Sequence, residues 1–172
     1  VSGGNDNASG RLSVSYQRYG GWYDGNGDEV IIDNTQTGLQ YSDRIDVMGT
    51  GTINIDDHQQ LQLTTQYYKS ESDGKHGLYL GKNFSAVTGD ATAYNKNNLD
   101  SDRIPGTERH LINLQYSNTD FWGQDLVAQI YYRDESLTYY PFPTLSKGTV
   151  TSIGASQQKT DFYGGKLTLN SK

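Results

Sequence analysis

The stretch from Asp43 to Lys69 constrains this chain most, because its side chains alternate strictly along two long arms. On the first arm Ile45, Val47, Gly49, Gly51, Ile53 and Ile55 fall on one parity, and Asp46, Met48, Thr50, Thr52 and Asn54 on the other. After the polar turn Asp56-Asp57-His58-Gln59, Leu61, Leu63, Thr65 and Tyr67 continue the first set against Gln60, Gln62, Thr64, Gln66 and Tyr68. Successive strand side chains point to opposite faces, so the pattern predicts a hairpin with one apolar and one polar face. The polar face is mostly uncharged Gln, Thr and Asn rather than the Lys and Glu of a soluble surface. Arms of ~9–11 residues with this alternation suit strands that cross a bilayer in a β-barrel. A half-exposed antiparallel sheet in a soluble domain alternates in the same way, so the hairpin alone leaves both readings open.

Composition narrows the choice. With 33% hydrophobic residues among 172, the chain is poor in aliphatic side chains for a conventional core, while 14 Tyr and 20 Gly are abundant. Its 14 basic and 20 acidic side chains give a net charge of −6, which lacks the basic footprint of a nucleic-acid binder. There is no cysteine, which excludes disulfides and thiol-based metal or nucleophile chemistry. No long apolar run predicts a transmembrane helix, and no charged-then-apolar leader is visible. Barrel strands escape such a search, because only every second residue is apolar. The absence of an initial Met and the stop at Ser171-Lys172 suggest a piece of a longer protein.

The remaining segments repeat the pattern. Residues Val1 to Gly10 read as a turn, and Arg11 to Tyr19 as a strand with Leu12, Val14 and Tyr16 on one side. A second hairpin places His110, Ile112, Leu114 and Tyr116 opposite Leu126, Ala128, Ile130 and Tyr132, with a turn expected over Ser117 to Gln124. Phe121 and Trp122 in that turn suit a bilayer interface. A last strand, Lys159 to Asn170, offers Tyr163, Gly165, Leu167 and Leu169. Long connections are expected at about 20–40, 70–106 and 134–158, alternating with short turns, and no helix is required. An up-and-down meander then carries all short turns at one end and all long loops at the other, as outer-membrane barrels do.

Three segments, GRLSVSYQRYGGWYDGNGDEV, DRIDVMGTGTINIDDHQQLQLTTQYYKSESDGKHGLYLG and SDRIPGTERHLINLQYSNTDFWGQDLVAQIYYRDESLTYYPFP, together make the chain resemble TonB-dependent siderophore receptors of enteric bacteria. The resemblance covers nearly the whole chain. It implies an all-β fold, about six strands of a 22-stranded transmembrane barrel in the outer membrane of a Gram-negative bacterium. It also implies a plug domain and a TonB-contacting segment in the parent, both absent from this stretch, so that the segment alone would not transport. The implied partners are a ferric siderophore, TonB, outer-membrane lipid and, at the exposed loops, antibodies, bacteriocins or phages.

The implied ligand carries carboxylates and a ferric hydroxamate centre, so its pocket needs cations and hydrogen-bonding aromatics; no cofactor and no protein-ligated metal are expected. Lys75, His76, Tyr79, Lys82, Tyr94, Lys96, Arg103 and Arg109 are the candidates, since Arg offers a bidentate fork and Tyr a hydrogen-bonding rim, with Arg103 and Arg109 favoured because they flank the strand entry. For each taken singly, a solvated loop side chain is the commoner state. Tyr139, Tyr140 and Phe142 could stack on a ligand, although a loop-packing or interfacial cluster carries more weight. Asp24-Gly25-Asn26-Gly27-Asp28 begins like a calcium loop but has Glu29 and Thr35 where Gly and Glu belong, and reads as a turn. His58, His76 and His110 have no metal spacing. Gly49 and Gly51 lie mid-strand without a following helix, which excludes a phosphate loop. No nucleophile or paired-carboxylate constellation points to an enzyme. The competing function is a soluble β-sheet module binding carbohydrate or protein through Tyr and Trp. Gln60, Gln62, Thr64, Gln66, Asn113 and Gln115 discriminate, lining a wet lumen in one case and forming plain surface in the other.

Overall fold

A computed structural model of the chain describes residues 1–30, 40–73, 75–80, 93–97, 104–139, 142–146, 149–154 and 156–171. They form an antiparallel β-meander without a helix. One sheet contains β1 (Ser2–Gly4), β2 (Ala8–Tyr19), β3 (Ser42–Asn54), β4 (Gln59–Ser72), β7 (Gly106–Phe121), β8 (Gln124–Thr138) and β11 (Gln157–Ser171), hydrogen-bonded in that order. Two short ribbons lie in the connections: β5 (His76–Leu80) with β6 (Ala93–Asn97), and β9 (Phe142–Ser146) with β10 (Thr149–Gly154).

The all-β meander and its six long strands agree with the alternation read from the sequence. Three boundaries differ. Residues 1–10 fold as the short strand β1 and the start of β2, joined through Asn5, whose side chain accepts the N–H groups of Asn7 and Ala8. The turn expected over 117–124 shrinks to Trp122 and Gly123, both at positive φ, with a one-residue register shift between Asn118 and Phe121. Strand pairing extends through both sides because the ladder can continue wherever the backbone stays extended; polar Ser117, Asn118 and Thr119 do not end it. The connections at 70–106 and 134–158 are likewise shorter, since β4, β7, β8 and β11 run into them and each holds a ribbon.

Register makes the apolar parity continuous across the sheet. One cross-strand row reads Gly10, Gly51, Leu63, Leu114, Ile130 and Gly165; the next reads Leu12, Gly49, Thr65, Ile112, Tyr132 and Tyr163. This face is bare. Val14 and Ile130 are each 62% exposed and Leu167 74%, so among the described residues no second layer covers them. The fully buried described side chains are Gln40, Ser42 and Ser72, at the long-loop end of β3 and β4.

The charged margin of the apolar face is slanted. On β2 and β3 it lies at Arg18 and Asp43, on β4 and β7 at Lys69 and Glu108, and on β8 and β11 at Asp134 and Asp161. Following the pairing from Asp43 to Asp161, the margin slides by four residues over the sheet. At ~3.3 Å per residue and ~4.8 Å per strand, that is a slant of about 30° against the hydrogen-bond rows. Tilted strands with a level apolar band require such a slant.

Candidate ligand-facing site on the polar face

The opposite parity builds a different surface. Its lower rows are amide-rich: Thr52, Gln62, Gln115 and Gln129 align across four strands, and Gln129 Nε2 donates to Asn113 Oδ1 at 2.8 Å. Toward the long loops the chemistry becomes ionic. Asp46, Tyr68, Arg109 and Glu135 occupy one cross-strand row on β3, β4, β7 and β8, with Arg44 and Arg133 two residues away on β3 and β8.

In that cluster Arg109 Nε donates to Glu135 Oε2 at 2.6 Å, and an Arg133 guanidinium N–H donates to the same oxygen. The Arg109 and Arg44 guanidinium carbons each stand 5.6 Å from the centroid of the Tyr68 ring, within cation–π range. Asp46 accepts from Gln66 Nε2 at 2.9 and 3.2 Å. Arg44 Nε is buried with no hydrogen-bond partner among the described residues. Three guanidiniums, two of them over one phenol ring, therefore share this patch with two carboxylates, a positive surplus in a chain whose net charge is −6.

A second cluster closes the loop bases. Tyr41, at φ 51°, stacks on His76 with ring centroids 3.6 Å apart and planes 8° from parallel. Its hydroxyl donates to Glu29, which raises the Tyr41 pKa above the ordinary phenol range. His76 Nδ1 lies 2.7 Å from Asp73 Oδ2, and the N–H of Asp73 donates to the carbonyl of Tyr41 at 2.8 Å. This ties the base of the 20–40 connection to that of the next one.

The sequence candidates are thus dispersed. Arg109 sits in the ionic row between Tyr68 and Glu135. His76 is engaged by Tyr41 and Asp73, and Lys75 is exposed beside it, its backbone N–H held by Asp73 Oδ1 at 2.9 Å. Tyr79 and Tyr94 pair across the β5–β6 ribbon, where Lys96 pairs with Gly77. Lys82 and Arg103 lie outside the described residues, as do Tyr140 and Pro141. Arg44, Tyr68, Arg133 and Glu135 were not singled out from the sequence; their parity, shared with Gln60 and Gln62 through the pairing, is the signal that finds them. Asp24 Oδ1 accepts the N–H groups of Asp28 at 2.9 Å and Asn26 at 2.8 Å, which lowers its pKa and confirms a turn. Among the described residues no group of three metal-ligating side chains converges.

Over its full length the chain is 66% identical to the ferric aerobactin receptor of Klebsiella pneumoniae and 65% identical to that of Escherichia coli. It is 35% identical, over 98% of its length, to the rhizobactin receptor of Rhizobium meliloti strain 1021. The chain spans about a quarter of these relatives, 24% of the first two and 23% of the third. No family model and no solved structure matches. The relatives bear out the likeness to siderophore receptors drawn from the sequence.

Proposed function

We propose that this chain is part of the wall of an outer-membrane β-barrel receptor that binds a ferric siderophore of the aerobactin type and, in the whole protein, imports it with energy delivered through TonB. The segment belongs to the barrel domain, about six long strands of a 22-stranded wall, while plug and TonB-contacting segment lie elsewhere in the protein. The slanted apolar face faces lipid, the amide-rich face lines a wet lumen, and the long loops with Arg109 and its neighbours face the ligand. The carrying observation is that bare face: twelve large apolar or tyrosyl side chains of its parity, from Leu12 to Leu169, are exposed, and its charged margin slants as tilted barrel strands demand. The soluble binding module is disfavoured, because a water-facing sheet would not leave so wide an apolar surface uncovered. The relatives' names supply the ligand class, and the chemistry is binding rather than catalysis. The test is uptake of iron-55 ferric aerobactin by cells that lack other receptors for it and produce the whole protein. TonB-dependent accumulation is expected; accumulation no higher than in cells without the protein would overturn the assignment.

A further inference from the structure

We propose that Arg44, Tyr68, Arg109 and Arg133 form a carboxylate-binding subsite which Glu135 occupies as a resident stand-in for the ligand. The inference rests on the receptor reading above and goes further, assigning one residue a competitor's role. Glu135 is the one carboxylate that bonds these arginines among the described residues, taking Arg109 Nε and the Arg133 guanidinium through a single oxygen, Oε2. Asp46, the other carboxylate of the row, is bonded by Gln66. The surplus cation is Arg44, whose buried Nε has no partner among the described residues while its guanidinium stands over the same Tyr68 ring as Arg109. An external carboxylate that reached Tyr68 would meet Arg44 and Arg109 together and replace Glu135 on Arg109, leaving Glu135 its contact with Arg133 at the adjacent register position. Charge-assisted guanidinium–carboxylate bonds are strong and geometrically specific, so this exchange keeps Arg109 and Glu135 each paired in both states and gives Arg44 a carboxylate when the ligand is bound.

A merely structural ion pair and a competing one respond oppositely to loss of Glu135. The whole protein in detergent is titrated with ferric aerobactin and, separately, with iron-free citrate, as wild type and as Arg44→Gln, Arg109→Gln, Glu135→Gln and Glu135→Asp, each checked for folding by circular dichroism. Both arginine variants are expected to bind each probe about tenfold or more weakly. Glu135→Gln is expected to bind about threefold to tenfold more tightly, and Glu135→Asp, whose shorter side chain holds the arginines less well, to fall between Glu135→Gln and wild type. Weaker or unchanged binding in Glu135→Gln, with the variant folded, overturns the stand-in role. Arginine variants that leave binding of both probes unchanged overturn the subsite. If wild type binds citrate but not ferric aerobactin, the receptor reading fails while the citrate series still decides the subsite; binding of neither probe by wild type overturns both.

Discussion

Gln129 and Ile130 are neighbours on β8 and, on this account, meet different solvents. Gln129 bonds Asn113 on the lumenal side, whereas Ile130 is 62% exposed on the bare side. A charge at Ile130 must therefore enter hydrocarbon and one at Gln129 must not. Ile130→Arg in the whole protein is expected to lower stability by about 2–4 kcal/mol, the cost of a cation near the midplane of a barrel's lipid face. Gln129→Arg should change it by less than about 1 kcal/mol. Urea titration of the folded protein in lipid vesicles reads both, and equal effects would argue against two solvents. At this scale parity was legible: Leu63, Ile112 and Ile130 announce their face by alternation alone. The meeting of Arg109 with Glu135 was not, because a two-residue turn at Trp122-Gly123 would by itself pair residues of mismatched character. The register shift between Asn118 and Phe121 restores Ile112 to Tyr132 and Arg109 to Glu135, and a bulge of this kind leaves no sure mark in the sequence.

Turns at the short-loop end are stitched by side chains. In the β3–β4 turn Asp56 accepts the N–H of His58 at 2.9 Å and that of Gln59 at 2.7 Å. These bonds, that from His58 foremost, hold the Asp56 carboxyl below its ordinary pKa. A depressed carboxyl stabilises the folded turn above the unfolded pKa, about 3.9, and that contribution is lost as pH falls through the folded value. Amide protection of His58 and Gln59 should accordingly hold from neutral pH down to about pH 4 and fall below it. In Asp56→Ala it should be weak throughout, and hydrogen exchange at these two amides measures both. Protection in Asp56→Ala that matched wild type would remove the carboxylate from this role. The turn itself could be placed from its polar run, whereas the second hairpin's turn was drawn too wide, since Ser, Asn and Thr mark turns and also tolerate edge-of-ladder positions. The ribbons β5–β6 and β9–β10 were read as irregular loop for a related reason: strands of five or six residues are too short for alternation to register.

At the scale of the molecule, the decisive property is a sheet that no second layer covers among the described residues. Six long strands leave two unpaired edges, at β1–β2 on one side and β11 on the other, and one face that water would not leave bare. Both needs are met if the remaining three quarters of a receptor as long as the chain's relatives supply neighbouring strands and a bilayer supplies the solvent. The alternation of short turns and long connections made this topology legible before any coordinate. The slant of the charged margin was not, for it depends on how six strands register against each other. The most direct measurement places nitroxide labels singly at Leu63, Ile112, Gln62 and Asn113 of the whole protein in bilayers and compares relaxation by oxygen with relaxation by a water-soluble nickel chelate. Labels at 63 and 112 should respond to oxygen and those at 62 and 113 to nickel. Nickel access at all four positions, or labels at 63 and 112 shielded from both reagents, would contradict a lipid-facing sheet.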